Sequence, residues 1–385
     1  MNRHEREEGR VGMLTINYGK DYVKTAYDAL AASDIKTYLQ KNIAVSIKPN
    51  LVVERPASEG ATTHPEVAEG IIQFLKDFGI KEIKIIENSA CGHSTKLAFR
   101  SCGYEALQKK YNVSLKDLKD DRFIPLKHEG IDFQISETAL NSDFLINVPV
   151  LKAHCQTRLT CCMKNLKGCM PQSEMRRFHS LGLHKPIAAL NVLLKTHYCV
   201  VDGICGDLSF EEGGTPIEAN RIIAGQNPLL TDSYCAELIG YNPDDIGYLS
   251  YGIKYGVGEY YSQKTKIVEL NTEHKPVCRI NSEGTQSVPR IADKYRSLID
   301  EDRACSVCYA ALIFALHRKG GSMRGRKICI GQGFKNKGSA YTGAASSLRT
   351  AGSSECLGIG NCTQGFKNYV KGCPPKAADI LGMLP

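Results

Sequence analysis

Residues 43–50 read IAVSIKPN, residues 63–79 THPEVAEGIIQFLKDFG and residues 82–88 EIKIIEN; the middle stretch decides what the outer two must be. Its apolar positions recur at helical spacing, Thr63 is placed to cap its start and Gly79 to end it. The flanking runs are short, apolar and β-branched, as strands covered on both faces are. Strand, amphipathic helix and strand make a βαβ unit, whose strands run parallel.

The pattern extends in both directions. VGMLTIN (11–17) and FLINVP (144–149) read as strands, HKPIAALNVLLK (184–195) as a helix, YCVVDGI (198–204) and RIIAG (221–225) as strands, and PLLTDSYCAELIG (228–240) as a helix. The expected fold is α/β, a mainly parallel sheet with flanking helices, over residues 1–270. Residues 271–300 are polar, carry Pro-Val and Val-Pro steps and are expected to be a linker. Residues 301–385 are expected to form a small α/β module with a helix at 304–320 and strands at 326–333 and 355–362.

Composition narrows the function. With 385 residues, 42% hydrophobic and 23% charged, and a mean hydropathy of -0.25, the chain is a folding globular protein and neither a disordered chain nor a disulfide-stapled miniprotein. A net charge of +8 favours anionic ligands or an acidic redox partner. Tryptophan is absent and no basic stripe is interleaved with aromatics, so nucleic acid is not the expected partner. The opening MNRHEREEGRVGML has no signal-peptide core, and no later stretch reaches the roughly 18 apolar residues of a membrane span. A cytoplasmic location without membrane association is expected, and there the 16 cysteines serve as thiols, metal ligands or redox centres.

Cys305-Ser-Val-Cys308 opens a helix, whose N-terminus favours thiolate charge, while Cys362 lies in Gly-Ile-Gly-Asn-Cys and Cys373 in Gly-Cys-Pro-Pro. Four thiolates suit either an iron-sulfur cluster or a structural zinc. A zinc ribbon would call for a second close CxxC, and Cys-Pro is a turn that leaves sulfur exposed to iron. CxxC, GxGxC and GCPP on a small α/β module resemble the proximal [4Fe-4S] ligand set of hydrogenase small subunits and the related complex I subunit. That resemblance assigns Cys305, Cys308, Cys362 and Cys373 as ligands. Cys329 and Cys356, inside apolar strands, read as core residues.

In the large domain, polar and ionisable groups cluster at strand ends, where open α/β sheets bind ligands. Lys48 and Asn50 end one strand and His64 opens the helix after it. Lys152 and His154 follow the strand ending near Val148. Lys48 and Lys152 suit an anion, and His64 and His154, with Lys152 in an acid-base enzyme, are candidates for proton transfer. Lys164, Asn165, Lys167 and Gly168 read as an anion-binding turn. Taken with IKPN, TTHPE, ENS, KNLKG, FHSLGLHKPIA and VVDGICGD, the chain resembles the family called domain of unknown function 362, from about Ile43 to Gly258 and, in cluster-bearing members, through the C-terminal module. Many members carry a ferredoxin-type CxxCxxCxxxCP run, which this sequence lacks. Cys155, Cys161 and Cys205 are expected either to hold a second iron-sulfur cluster, with Cys162 or Cys169 as substitute ligands, or to be buried thiols beside an anion site.

The leading expectation is an iron-sulfur oxidoreductase of an anaerobic cell. Electrons would arrive from a low-potential donor such as ferredoxin or flavodoxin and pass from a [4Fe-4S] cluster to a small anionic substrate in the crevice. The alternatives are an acid-base enzyme of racemase or lyase type with a structural cluster, and an electron carrier without chemistry of its own.

Overall fold

The computed structural model describes residues 12–208, 213–276, 291–320, 327–335 and 356–385. The chain divides into two compact units, one of Met1–Met175 and His184–Val288, the other of Arg176–Leu183 and Pro289–Pro385.

The strands of the large unit are β1 (Met13–Tyr18), β2 (Ala44–Pro49), β3 (Glu82–Glu87), β4 (Ser114–Asp117), β5 (Phe123–His128), β6 (Ile131–Ser136), β7 (Phe144–Val148), β8 (Lys152–His154), β9 (Arg158–Thr160), β10 (Tyr198–Asp207), β11 (Pro216–Gly225) and β12 (Lys266–Leu270). Eight of them form one sheet in the order β12-β1-β11-β10-β7-β2-β3-β4. Only β11 is antiparallel to its neighbours, β1 and β10; every other pairing in the sheet is parallel. The mainly parallel α/β sheet expected from the sequence is present. YCVVDGI and RIIAG, both read as strands, are the antiparallel pair β10 and β11. β5–β6 and β8–β9 are separate antiparallel hairpins.

β7 and β10 are buried along their whole length, as near-continuous apolar strands in a covered sheet must be. On one face, helices Tyr22–Ala32 and Pro65–Phe78 pack Ala26, Leu30, Val67, Ile71 and Leu75 against Ile47, Ile85 and Ile146. Gly70 lets these two helices close up, since a Cβ there would stand 2.3 Å from the Val23 carbonyl oxygen. The helix Pro65–Phe78 ends at Gly79 in the left-handed region, as expected. Its N-cap, however, is His64 and not Thr63. Thr63 is used between strands: its Oγ1 accepts from the Asn50 N–H and donates to the Val148 carbonyl, both at 2.8 Å.

In the small unit, β13 (Ile299–Glu301), β14 (Ile328–Ile330), β15 (Leu357–Ile359) and β16 (Asn368–Val370) form a parallel sheet in chain order. The helix Ser306–Lys319 crosses from β13 to β14. The expected linker therefore needs correcting. Helix Ile291–Tyr295 and β13 occupy residues 291–301, because β13 supplies the edge that pairs with β14. Residues 277–290 of that expected linker lie outside the described residues.

Candidate functional site

Lys48 is the penultimate residue of β2 and Glu87 the last of β3, so parallel pairing delivers both to the carboxyl edge of the sheet. Lys48 Nζ donates to Glu87 Oε1 at 2.8 Å, to the Pro49 carbonyl at 2.9 Å and to Asn165 Oδ1 at 3.3 Å. The second Glu87 oxygen accepts the Leu51 N–H at 2.8 Å, and Oε1 also takes the Asn88 N–H at 2.9 Å. Burial pushes the Glu87 carboxyl up, while Lys48 and these N–H groups act against it. Both side chains are buried, and the Lys48 ammonium is paired with the Glu87 carboxylate.

The KNLKG turn lies directly over this pair. Asn165 Nδ2 donates to Asn147 Oδ1 at 2.7 Å, and its Oδ1 accepts from Asn50 Nδ2 at 3.0 Å, which ties β2, β7 and the turn together. Gly168 has no side chain for a steric reason: a Cβ would stand 2.3 Å from Glu87 Oε1 and 2.7 Å from Lys48 Nζ. Cys169, beside the same pair, is pushed up to about 12 by burial. Lys164 Nζ donates to Thr160 Oγ1 at 3.2 Å, and Lys167 is half-buried in the turn Leu166–Cys169. Asn50 and Asn165 thus act as internal braces.

A second polar group stands at the end of β7 and within β10. Asp202 Oδ2 accepts both the backbone N–H and the Nδ1 of His64, each at 2.8 Å, and its Oδ1 accepts the Ile204 N–H at 3.0 Å. Burial works against charging His64, but Asp202, with Cys205 contributing, overcomes it and raises the imidazole to about 10. The ring also meets Tyr22 edge-on at 5.4 Å. Cys205 has its sulfur 3.6 Å from the Ala57 and Ser58 carbonyl oxygens. Lys152, at the start of β8, donates from Nζ to the Ala61 carbonyl at 2.6 Å and to Asn50 Oδ1 at 3.4 Å. At the other end of β8, His154 Nδ1 accepts the Gln156 and Thr157 N–H groups at 3.1 and 3.2 Å, which leaves the ring proton of a neutral His154 on Nε2. Asn50 thus joins the Lys152 and Lys48 networks, and the paired, buried His64–Asp202 dyad is suited to holding or moving a proton.

The cysteines of the large unit fall into separate environments. Cys161, Cys162 and Asp232 offer ligand atoms all within 4.8 Å of one another, with the two sulfurs 3.9 Å apart. Asp232 accepts the Cys162 N–H at 2.7 Å and the Met163 N–H at 2.9 Å. Cys235 faces Cys161, and Cys199 faces Cys162. Burial pushes Cys162, Cys199, Cys235 and Asp232 up; Cys161 goes the other way because Cys162, Cys235 and Asp232 turn their hydrogen bonds toward it. The expected triad of Cys155, Cys161 and Cys205 is not a close ligand group among the described residues: Cys161 is held in the Asp232 group and Cys205 beside His64.

In the small unit, Cys305 caps the helix Ser306–Lys319, its carbonyl accepting the Tyr309 N–H at 2.9 Å, and Cys308 lies in the first turn. Asn361 clips the β15 and β16 loops together, its N–H donating to the Gly372 carbonyl at 2.9 Å and its Oδ1 accepting the Gly372 N–H at 2.8 Å. Cys362 and Cys373 ride on those loops. Burial raises Cys308 to about 12, and Cys305, Cys373 and Cys362 are the thiols that press on it electrostatically. Cys305 and Cys308 follow β13, Cys362 follows β15 and Cys373 follows β16; no three of these sulfurs lie all within 4.8 Å of one another. Cys329 instead packs with Phe334 and Phe366, and Cys356 packs against that group.

Asp202, Asn147 and Asp232 were not among the residues singled out from the sequence, and Glu87, which opens the ENS strand end, was not paired there with Lys48. A signal was present for two of them. Asp202 and Asn147 interrupt apolar strand runs, and a polar group placed there needs a partner.

The fold is a mainly parallel α/β sheet with paired ionisable side chains at its strand ends, and the large unit holds a buried Cys161–Cys162–Asp232 group that could bind a metal ion. Residues 45–237 match the family described as domain of unknown function (DUF362), and the chain belongs to that family. A thylakoid-associated protein of Synechocystis sp. is 24% identical over 213 residues, 52% of this chain and 64% of that protein, so the chain spans less than two thirds of this relative. Among solved structures, the lactate racemase apoprotein from Thermoanaerobacterium thermosaccharolyticum aligns with a TM-score of 0.40 and 14% identity, over 59% of this chain and 57% of that one. A protein from Thermotoga maritima aligns with a TM-score of 0.38 and 13% identity, over 57% and 60%. No helix among the described residues is long and apolar enough to cross a membrane.

Proposed function

We propose that this protein is an iron-sulfur oxidoreductase whose small unit binds one [4Fe-4S] cluster and whose large unit binds a small anionic substrate at the carboxyl edge of its sheet. One observation carries the reading: Cys305 and Cys308 follow β13, Cys362 follows β15 and Cys373 follows β16, so all four thiols stand after parallel strands of one small sheet. Four thiols on loops after parallel strands fit a four-cysteine cluster, which would supply one-electron chemistry. Gln332 Nε2, 3.8 Å from Cys305 Sγ, is placed to donate to a ligating sulfur and so to tune it. In the large unit, Lys152 and the His64–Asp202 dyad orient the substrate and hold its proton. A low-potential ferredoxin or flavodoxin is the proposed electron donor, and the cytoplasm of an anaerobic cell the proposed setting.

The test is anaerobic purification with iron and sulfide quantification and electron paramagnetic resonance. About four irons with matching sulfide and a reduced-state signal are expected; a folded chain that takes up no iron on reconstitution removes the reading. The His64–Asp202 pair favours a second reading, an acid-base enzyme acting next to a carboxylate, with the cluster structural.

A further inference from the structure

Outside the two sites above, the group around Cys161 is the densest set of metal-binding side chains among the described residues. We propose that Cys161, Cys162, Asp232 and Cys235 form a closed mononuclear site for a thiolate-binding divalent ion of the zinc class, separate from any iron-sulfur cluster.

Geometry selects the nuclearity. Two thiolates bound to one tetrahedral zinc at Zn–S of about 2.3 Å stand about 3.8 Å apart. Cys161 and Cys162 Sγ are 3.9 Å apart. A cubane cluster spreads its ligating sulfurs to roughly 6 Å, so the spacing fits one ion and is too tight for a second [4Fe-4S] cluster.

The donor set agrees. Asp232 and Cys235 are three residues apart in the helix Pro228–Leu238, which turns both toward the same side; Cys235 faces Cys161 from outside the 4.8 Å group and must turn inward to complete the set. Each Asp232 oxygen accepts one backbone N–H and keeps a lone pair. Those two N–H bonds fix the carboxylate as a structural site requires of its ligands. Cys161, Cys162, Asp232 and Cys235 are fully buried, which suits a closed structural ion with no open coordination position. Binding replaces thiol protons, which leave to solvent, so the ion must enter as the chain folds. It would pin the short helix Cys162–Asn165, and through it Asn165 and Gly168, to the helix Pro228–Leu238.

The test uses the full chain, made in zinc-supplemented medium, purified anaerobically and reconstituted with iron and sulfide. Elemental analysis after desalting against a chelator should give one zinc per chain in addition to the iron. The Cys161→Ser/Cys235→Ser variant should lose the zinc and keep its iron. Cadmium supplied in place of zinc should give the ultraviolet charge-transfer band of cadmium thiolate in the unmutated chain, a readout that needs no variant to fold. Absence of both zinc and that band from the folded unmutated chain overturns the proposal. So does zinc retained by the double variant, or an iron content near eight with no zinc.

Discussion

Lys48 Nζ lies 2.8 Å from Glu87 Oε1, with both side chains withdrawn from water and the pair capped by Asn165 and Gly168. Removing one member of a buried pair strands the other charge, which costs about 3–5 kcal/mol. Lys48→Met and Glu87→Leu should each lower the urea-unfolding free energy by about that much. The double variant should recover a large part of the loss, because no charge is then left alone. Additive losses in the cycle would show that the pair does not act as a unit.

Gly168→Ala should destabilise the large unit by about 1–3 kcal/mol, since its Cβ must displace the Glu87 carboxylate or the Lys48 ammonium. Gly382→Ala, where nothing lies within 4 Å and the residue is helical, should be neutral or mildly stabilising. Thermal melts of the two variants give the comparison.

His64 is raised from 6.5 to about 10 in the folded chain. The folded state therefore holds a proton that the unfolded state releases across that window. The stabilisation is complete below about pH 6.5, declines as pH rises, and is gone above about pH 10. One proton sets a maximum slope of about 1.4 kcal/mol per pH unit. Urea unfolding from pH 6 to 10 should show this decline. Asp202→Asn should flatten it, and nuclear magnetic resonance should then find His64 titrating lower.

Cys308→Ser and Cys373→Ser should each abolish the iron signal and loosen the small unit to proteolysis, since so small a sheet depends on its metal. Cys356→Ser should leave iron content unchanged, because Cys356 packs against the Cys329–Phe334–Phe366 group. If all three variants behave alike in iron analysis, the ligand assignment is wrong.

Where the hydrophobic pattern was strong, the sequence was legible: β1, β2, β3, β7, β10 and β11 all coincide with runs read as strands. β13 was missed because Ile299–Glu301 spans three residues beside a polar stretch, and only pairing with β14 makes it a strand. The cap at Thr63 was misplaced because Asp202, far along the chain, takes the His64 N–H and Thr63 has better use between β2 and β7. The four small-unit cysteines stand out in the sequence through the CxxC at Cys305–Cys308 and the glycine- and proline-bearing turns at Cys362 and Cys373. Cys161 and Cys162 were candidate ligands there too, but their partners Asp232 and Cys235 were not, since these reach them from a helix some seventy residues away. Lys48 and Glu87 were both visible at adjacent strand ends, but their ion pair was not, because the register that brings them together is set by parallel pairing.

The pairing of β1 bears on how the chain is made. Its two neighbours in the sheet are β11 and β12, which begin at Pro216 and Lys266. A ribosome adding about 5–20 residues per second emits MLTINY about 10–40 s before the first of them exists. For that interval the nascent chain carries an apolar strand with both edges bare, the kind of segment that seeds aggregation. Early protection of Met13–Tyr18, by a holding chaperone or by the helix Tyr22–Ala32 folding over it, is therefore a requirement of this topology during synthesis.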